Sequence, residues 1–133
     1  MPIAASGGGY LYSSGNANEA LLQPQGAPVA YTATTVTLAG SDAVNGLITV
    51  TQTAAVGLTT MSGANLDSVA GNARVDTALD FVILNTGSSS GAITVTAGTG
   101  ITWVGSTTIA ITTPCHVRAR KTGDATWTLY RIA

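Results

Sequence analysis

Asp80-Phe-Val-Ile-Leu-Asn-Thr-Gly87, Gly91-Ala-Ile-Thr-Val-Thr96, Gly100-Ile-Thr-Trp-Val-Gly105 and Trp127-Thr-Leu-Tyr-Arg-Ile132 succeed one another through the last third of the chain. Each apolar run is four to six residues long, rich in β-branched or aromatic side chains, and bounded by Gly, Ser, Asn or Asp. That grammar specifies half-buried strands separated by turns. Ile93 and Val95 oppose Thr94 and Thr96, Ile101 and Trp103 oppose Thr102, and Ile109 and Ile111 oppose Ala110. A period of two assigns each set to its own face of a sheet. Trp127 and Leu129 are expected in the core. Val117 and Ala119 alternate with His116, Arg118 and Arg120, which makes one face of that strand basic.

Upstream, Tyr31–Leu38 reads as a first strand and Leu47–Thr53 as its partner, with Asn45-Gly46 just before it as a dipeptide suited to a type I′ turn. Residues 60–76 lose the strand period and contain Ser62-Gly-Ala-Asn-Leu-Asp-Ser-Val-Ala-Gly71, which predicts a short helical turn ended by Gly71. Residues 1–28 differ from the rest. Gly7 to Gly9, Pro24 and Pro28 disfavour regular structure, while Tyr10, Leu11, Tyr12, Leu21 and Leu22 supply apolar anchors. The expectation is an all-β chain: an antiparallel β-sandwich or jelly-roll-like domain at 29–133 with an extended N-terminal arm at 1–28.

A chain of 133 residues suits one domain able to bury roughly two thirds of its unfolded surface. Only 8% of its residues are charged, against about 25% in an average domain. Thr, Ser, Asn and Gly must therefore build the polar faces. Monomeric proteins protect sheet edges with Lys and other charges, and here Lys121 is the single lysine. Since interface cores are depleted in charge, the composition argues for extensive subunit contact. A net charge of −1 supplies no field toward nucleic acid. No apolar stretch reaches the roughly 20 residues of a membrane span, and Met1-Pro-Ile-Ala-Ala-Ser carries no export signal pattern. Synthesis in a cytoplasm is expected, with neither nucleic acid nor membrane as partner.

Catalytic constellations find few candidates. Gly98-Thr-Gly100 opens like a dinucleotide fingerprint, but Trp103 stands where the third glycine belongs and no helical pattern follows. His116 is the only histidine and Cys115 the only cysteine, so multi-histidine and cysteine-rich metal sites are excluded. Neighbours on a strand point to opposite faces, which separates Cys115 from His116 and leaves Cys115 as a small buried residue. Glu19 is the only glutamate, and Asp42, Asp67, Asp76, Asp80 and Asp124 match no EF-hand spacing. Neither a metal nor a cofactor is expected, and the chain does not read as an enzyme. Arg118, Arg120 and Lys121 form the one positive cluster: a solvated strand end, or a contact for an acidic surface that added salt would weaken.

The stretch Phe81-Val-Ile-Leu-Asn-Thr-Gly87, Ile93-Thr-Val-Thr-Ala-Gly-Thr-Gly-Ile-Thr-Trp-Val-Gly105, Val117-Arg-Ala-Arg120 and Trp127-Thr-Leu-Tyr-Arg-Ile132 resembles the C-terminal β-domain of tailed-bacteriophage structural proteins. Capsid decoration (cement) and head-fibre proteins are the kinds it is most similar to, over roughly residues 60–133. The resemblance implies a homotrimer seated on the outer capsid surface where major capsid protein subunits meet, stabilising the shell without catalysis. On that reading Tyr10, Leu11, Tyr12, Leu21, Leu22, Arg118, Arg120 and Lys121 are the candidate capsid or subunit contacts. A fibre or tail component is the second reading, although the chain lacks long repeats and coiled-coil heptads. A carbohydrate-binding module using Trp103 and Trp127 is the third, and a small hydrolase dependent on His116 the fourth.

Overall fold

A computed structural model describes residues 24–133. Ten strands and two short helices follow in order: β1 (Val29–Tyr31), β2 (Thr35–Thr37), α1 (Gly40–Asn45), β3 (Leu47–Val50), β4 (Val56–Thr59), α2 (Gly63–Val69), β5 (Ala78–Asn85), β6 (Ile93–Thr96), β7 (Ile101–Val104), β8 (Thr108–Ile109), β9 (Pro114–Gly123) and β10 (Thr126–Arg131). The fold is mostly β. One sheet has six strands in the order β1-β3-β5-β9-β10-β7, and the other has four in the order β2-β4-β6-β8.

From β1 to β8 every strand lies in the opposite sheet from the one before it. The chain therefore crosses the core after each strand, and the strands that become sheet neighbours run in the same direction. Among the described residues, five of the eight strand pairings are parallel: β1 with β3, β3 with β5, β2 with β4, β4 with β6, and β7 with β10. The antiparallel sheet expected from the sequence is corrected to two mixed sheets. Alternation of apolar and polar residues is the same in both arrangements, so the pattern alone does not set strand direction.

The expected strand over Tyr31–Leu38 is two strands. Tyr31 pairs with Val50 in the six-stranded sheet, whereas Val36 pairs with Leu58 in the other, and residues 32–34 carry the crossing. Asn45-Gly46 serves a helix end instead of a hairpin. Gly46 has φ 83° and its N–H donates to the Asp42 carbonyl at 3.1 Å, closing α1 with the left-handed residue that glycine accepts most readily. The helical turn in residues 60–76 is α2, where the Ser62 hydroxyl accepts from the Asn65 N–H at 3.1 Å.

Both sheets turn their branched residues into one core. Ile48, Val50, Ile83, Val117, Trp127 and Leu129 come from the six-stranded sheet; Val36, Leu58, Ile93 and Ile109 come from the four-stranded sheet. Trp127 and Leu129 are buried as their alternation requires, and Cys115 is a buried free thiol. One polar side chain ties the layers together. The Asn85 amide donates to the carbonyls of Gly91 at 2.9 Å and Ile109 at 3.1 Å, and its oxygen accepts from the Gly87 N–H at 2.9 Å. At 2% exposure Asn85 depends on those partners to offset lost hydration.

Candidate functional site

Because Ile48, Phe81, Ile83, Cys115 and Val117 face inward, the residues between them form the outer face of the six-stranded sheet. Strand register arranges that face in rows. Leu47, Val82 and His116 stand side by side, followed by Ile132, whose N–H donates to the His116 carbonyl at 2.8 Å. Thr49, Leu84 and Pro114 make the next row. On the opposite side of the first row come Asp80, Arg118, Tyr130 and Val104, then Ala78, Arg120, Thr128 and Thr102. The first two rows are mainly apolar, interrupted by His116 and Thr49, and the other two carry the charges of Asp80, Arg118 and Arg120, with Val104 at their β7 end. Ile132 and Val104 are 55% and 46% exposed, large values for apolar side chains in or next to a strand. A depression of about 290 Å³ lined by Leu84, Asn85, Thr86, Thr112, Thr113 and Pro114 marks the edge of the mainly apolar rows.

The charged rows are neutralised within the chain. Arg118 donates to both oxygens of Asp80 at 2.8 and 3.0 Å, and His116 Nε2 lies 3.2 Å from the same carboxylate. The bonds from Arg118, with a smaller contribution from His116, hold Asp80 below its ordinary carboxylate value although partial burial opposes them. Arg120 donates to Tyr130 Oη at 2.9 and 3.2 Å and to Asp76 Oδ1 at 2.7 Å. The Tyr130 hydroxyl, then Asp76, raise the Arg120 guanidinium further above the alkaline range.

Lys121 belongs elsewhere. It pairs with the inward-facing Trp127 in the β9–β10 ladder, on the opposite side from Arg118 and Arg120. Its Nζ lies 3.0 Å from Asp67 Oδ1, and its side chain is 12% exposed. The positive cluster of the sequence is thus divided by strand alternation, and each of its three cations already has a carboxylate. Tyr10, Leu11, Tyr12, Leu21 and Leu22 lie outside the described residues.

The outer face of the four-stranded sheet has a different chemistry. Thr35, Gly57, Thr94 and Thr108 form one row, and Thr37, Thr59 and Thr96 the next. No charged and no large apolar side chain occurs in either row.

Groups sought for catalysis or sugar binding are not brought together. Cys115 is buried while His116 faces Asp80 on the outside, and burial pushes the Cys115 thiol up. Trp127 is 1% exposed and its indole N–H donates to Asp67; Trp103 packs partly on the core and donates to the Ser106 carbonyl at 3.2 Å. The two indoles make no exposed platform. Among the described residues, no group of three or more His, Cys, Asp or Glu side chains is placed to hold a metal ion.

Sequence reasoning missed Asp67, Asn85 and Tyr130 as organising residues. Asp67 meets Trp127 60 positions away and Asn85 meets Ile109 24 positions away, and no local spacing signals those two contacts. Tyr130 was visible only as a large residue two places from Thr128. No protein-family model matches the chain, and the comparisons with curated proteins and with solved structures return no match.

Proposed function

We propose that the protein is a structural component of a tailed-phage virion: a capsid decoration (cement) protein that binds the assembled head as a homotrimer and has no enzymatic role. The two sheets are read as a β-sandwich, with residues 1–28 as the arm that reaches the major capsid protein or a sister subunit. The reading places it on the outer capsid surface.

The observation that carries this reading is the division of labour among its few charges. Asp67, Asp76 and Asp80 are each engaged by Lys121, Arg120 or Arg118, so the ionised groups hold strands and a helix together. What the molecule offers outward is two broad sheet faces, one of threonine rows and one with two mainly apolar rows. Such faces suit contact over a wide area. Stabilisation of the shell then follows by mass action, because a ligand that binds only the assembled lattice lowers its free energy by an amount that grows with the logarithm of free ligand over Kd.

Co-sedimentation with empty phage shells tests the proposal. Saturable binding that raises shell resistance to heat supports it, and free protein at all shell concentrations overturns it. Deleting residues 1–22 separates the arm from the rest: binding that survives the deletion undiminished removes the arm from the contact.

A further inference from the structure

We infer that the open edge of β7 is a docking site for an extended strand, and that its occupant in the free protein is the chain's own Gly9-Tyr-Leu-Tyr-Ser13. The contact forms within one free chain, independently of the virion reading.

A sheet edge carries backbone donors and acceptors at the strand period, and another extended backbone satisfies them in series. The two sheets have four edges, and the chain itself closes two of them. At β1, Pro28 has no N–H to offer and the Thr32 carbonyl accepts from Gln52 Nε2 at 2.8 Å. At β8, the Thr108 N–H donates to Ser106 Oγ at 3.3 Å and the Thr108 carbonyl accepts from Arg131 Nη1 at 2.6 Å. β2 and β7 remain. The bonds from Gly57 N–H to Thr34 and from Leu38 N–H to Thr59 turn the backbone of Thr35 and Thr37 outward, but Val36 between them is 2% exposed. No apolar surface is left at β2 for an added strand to cover.

β7 differs. The Trp127 N–H donates to the Gly100 carbonyl at 2.9 Å, which turns the backbone groups of Thr102 and Val104 toward β10 and those of Ile101 and Trp103 outward. The Ile101 N–H is taken by the Gly98 carbonyl at 3.1 Å, whereas the Ile101 carbonyl and both backbone groups of Trp103 have no partner among the described residues. Ile101 and Trp103 are only partly buried against the core, and Val104 is 46% exposed on the other face. The strand contains neither a charge nor a proline to discourage pairing. It therefore suits an uncharged strand with apolar side chains on both faces.

The point where the described chain begins identifies that strand. Gln25 Nε2 donates to the Asn45 carbonyl at 2.8 Å, so residues 1–23 join the fold near the start of β3, where Leu47 stands in the row beside the one that ends at Val104. From β1 to one position beyond β7 is six inter-strand steps of about 4.8 Å, roughly 29 Å. The eleven residues 13–23 span roughly 36–40 Å when extended, which is enough. Leu21 and Leu22 lie too close to Pro24 to reach. Tyr10-Leu11-Tyr12 is uncharged, favours a strand, and puts aromatic side chains on one face and an aliphatic one on the other.

Residue-resolved amide hydrogen exchange by NMR on the full chain is the experiment. The Trp103 amide should be protected roughly ten-fold or more above the amides of Thr35 and Thr37 on the open β2 edge. Two full-chain variants, Leu11→Pro and the double change Tyr10→Ser with Tyr12→Ser, should bring Trp103 to the level of Thr35 and Thr37. Thr102, whose amide faces β10, should stay protected in both. That pattern supports the inference. A Trp103 amide that is unprotected in the wild-type chain, or that keeps its protection in both variants, overturns it. Protection that fades on dilution gives the segment to another copy and overturns the placement within one chain. Co-sedimentation with shells decides the virion reading separately, since neither result depends on the other.

Discussion

The indole N–H of Trp127 donates to Asp67 Oδ1 at 2.9 Å across 60 residues of sequence. The other carboxylate oxygen accepts the Ala125 N–H at 2.7 Å, in the turn between β9 and β10, where Ala125 has φ 52°. Lys121 completes the arrangement at 3.0 Å. One carboxylate on α2 therefore fixes the closing hairpin and orients the largest core side chain. Asp67→Ala should lower the thermal midpoint markedly, and Asp124→Ala, an exposed carboxylate in the same turn, should not. Equal midpoints in calorimetry would contradict the role assigned to Asp67.

Asn85 joins the two layers through three hydrogen bonds at 2% exposure. Replacing it with Ala removes the donor to the Gly91 and Ile109 carbonyls and the acceptor of the Gly87 N–H, at a cost of about 1–3 kcal/mol. Urea unfolding of Asn85→Ala measures that loss, and a change within error of zero would show that water replaces the amide.

Two glycines test how closely α2 is seated. A Cβ on Gly63 would come within 1.9 Å of the Ala125 carbonyl oxygen, so Gly63→Ala should destabilise by about 2–3 kcal/mol. Gly57, in the middle of a threonine row, has nothing within 4 Å of the corresponding point. Gly57→Thr should be stabilising by about 0.5–1 kcal/mol, because it removes glycine's unfolded-state freedom and adds a strand-favouring residue. The opposite order of the two variants in denaturant melts would refute the packing described.

Asp67 and Asp80 both titrate below the ordinary carboxylate value of 3.8 in the folded chain, held down by Trp127 and Lys121 in one case and by Arg118 and His116 in the other. The unfolded chain thus takes up protons first. Their contribution to stability is complete above 3.8 and is lost as pH falls through the folded values. Denaturant midpoints should hold above about pH 5 and fall steeply below about pH 4. Asp80→Asn should flatten part of that slope, and an unaltered profile would argue against the Arg118 pairing.

Tyr31 behaves in the opposite sense. Partial burial, then the hydrogen bond and the negative charge of Asp42, push its hydroxyl up to about 12 from 10.0. The folded chain keeps its proton while the unfolded chain loses it, so this contribution is present below pH 10 and disappears as pH rises toward 12. Tyr31→Phe should abolish the alkaline slope assigned to this residue in unfolding curves. A slope of the same size in the variant would place its origin elsewhere.

Much of the architecture was legible in local pattern. The alternation in Ile93-Thr-Val-Thr96 and Trp127-Thr-Leu129 identified which side chains are buried, because the period of two survives any strand pairing. Strand direction was not legible. Tyr31 and Val36 are five residues apart yet serve different sheets, and the bend between them leaves no mark that a continuous Thr-rich strand would lack. The charged cluster was half legible. Alternation correctly grouped His116 with Arg118 and Arg120, but the carboxylates that neutralise them sit from 36 to 44 residues away.

The repeated crossing between sheets also has a kinetic consequence. Among the described residues, β9 and β10 are the one pair of ladder neighbours joined by a tight turn, through Asp124 and Ala125. Every parallel pairing waits for the chain to complete a longer excursion, as when Val50 meets Asn85. Loop closure must then precede most of the rewarding contacts, which places folding toward the slow end, on the order of milliseconds to seconds. During that interval the threonine-rich segments remain unpaired and lack the lysines that discourage intermolecular pairing. The yield of native protein should consequently depend on how concentrated the newly made chains are.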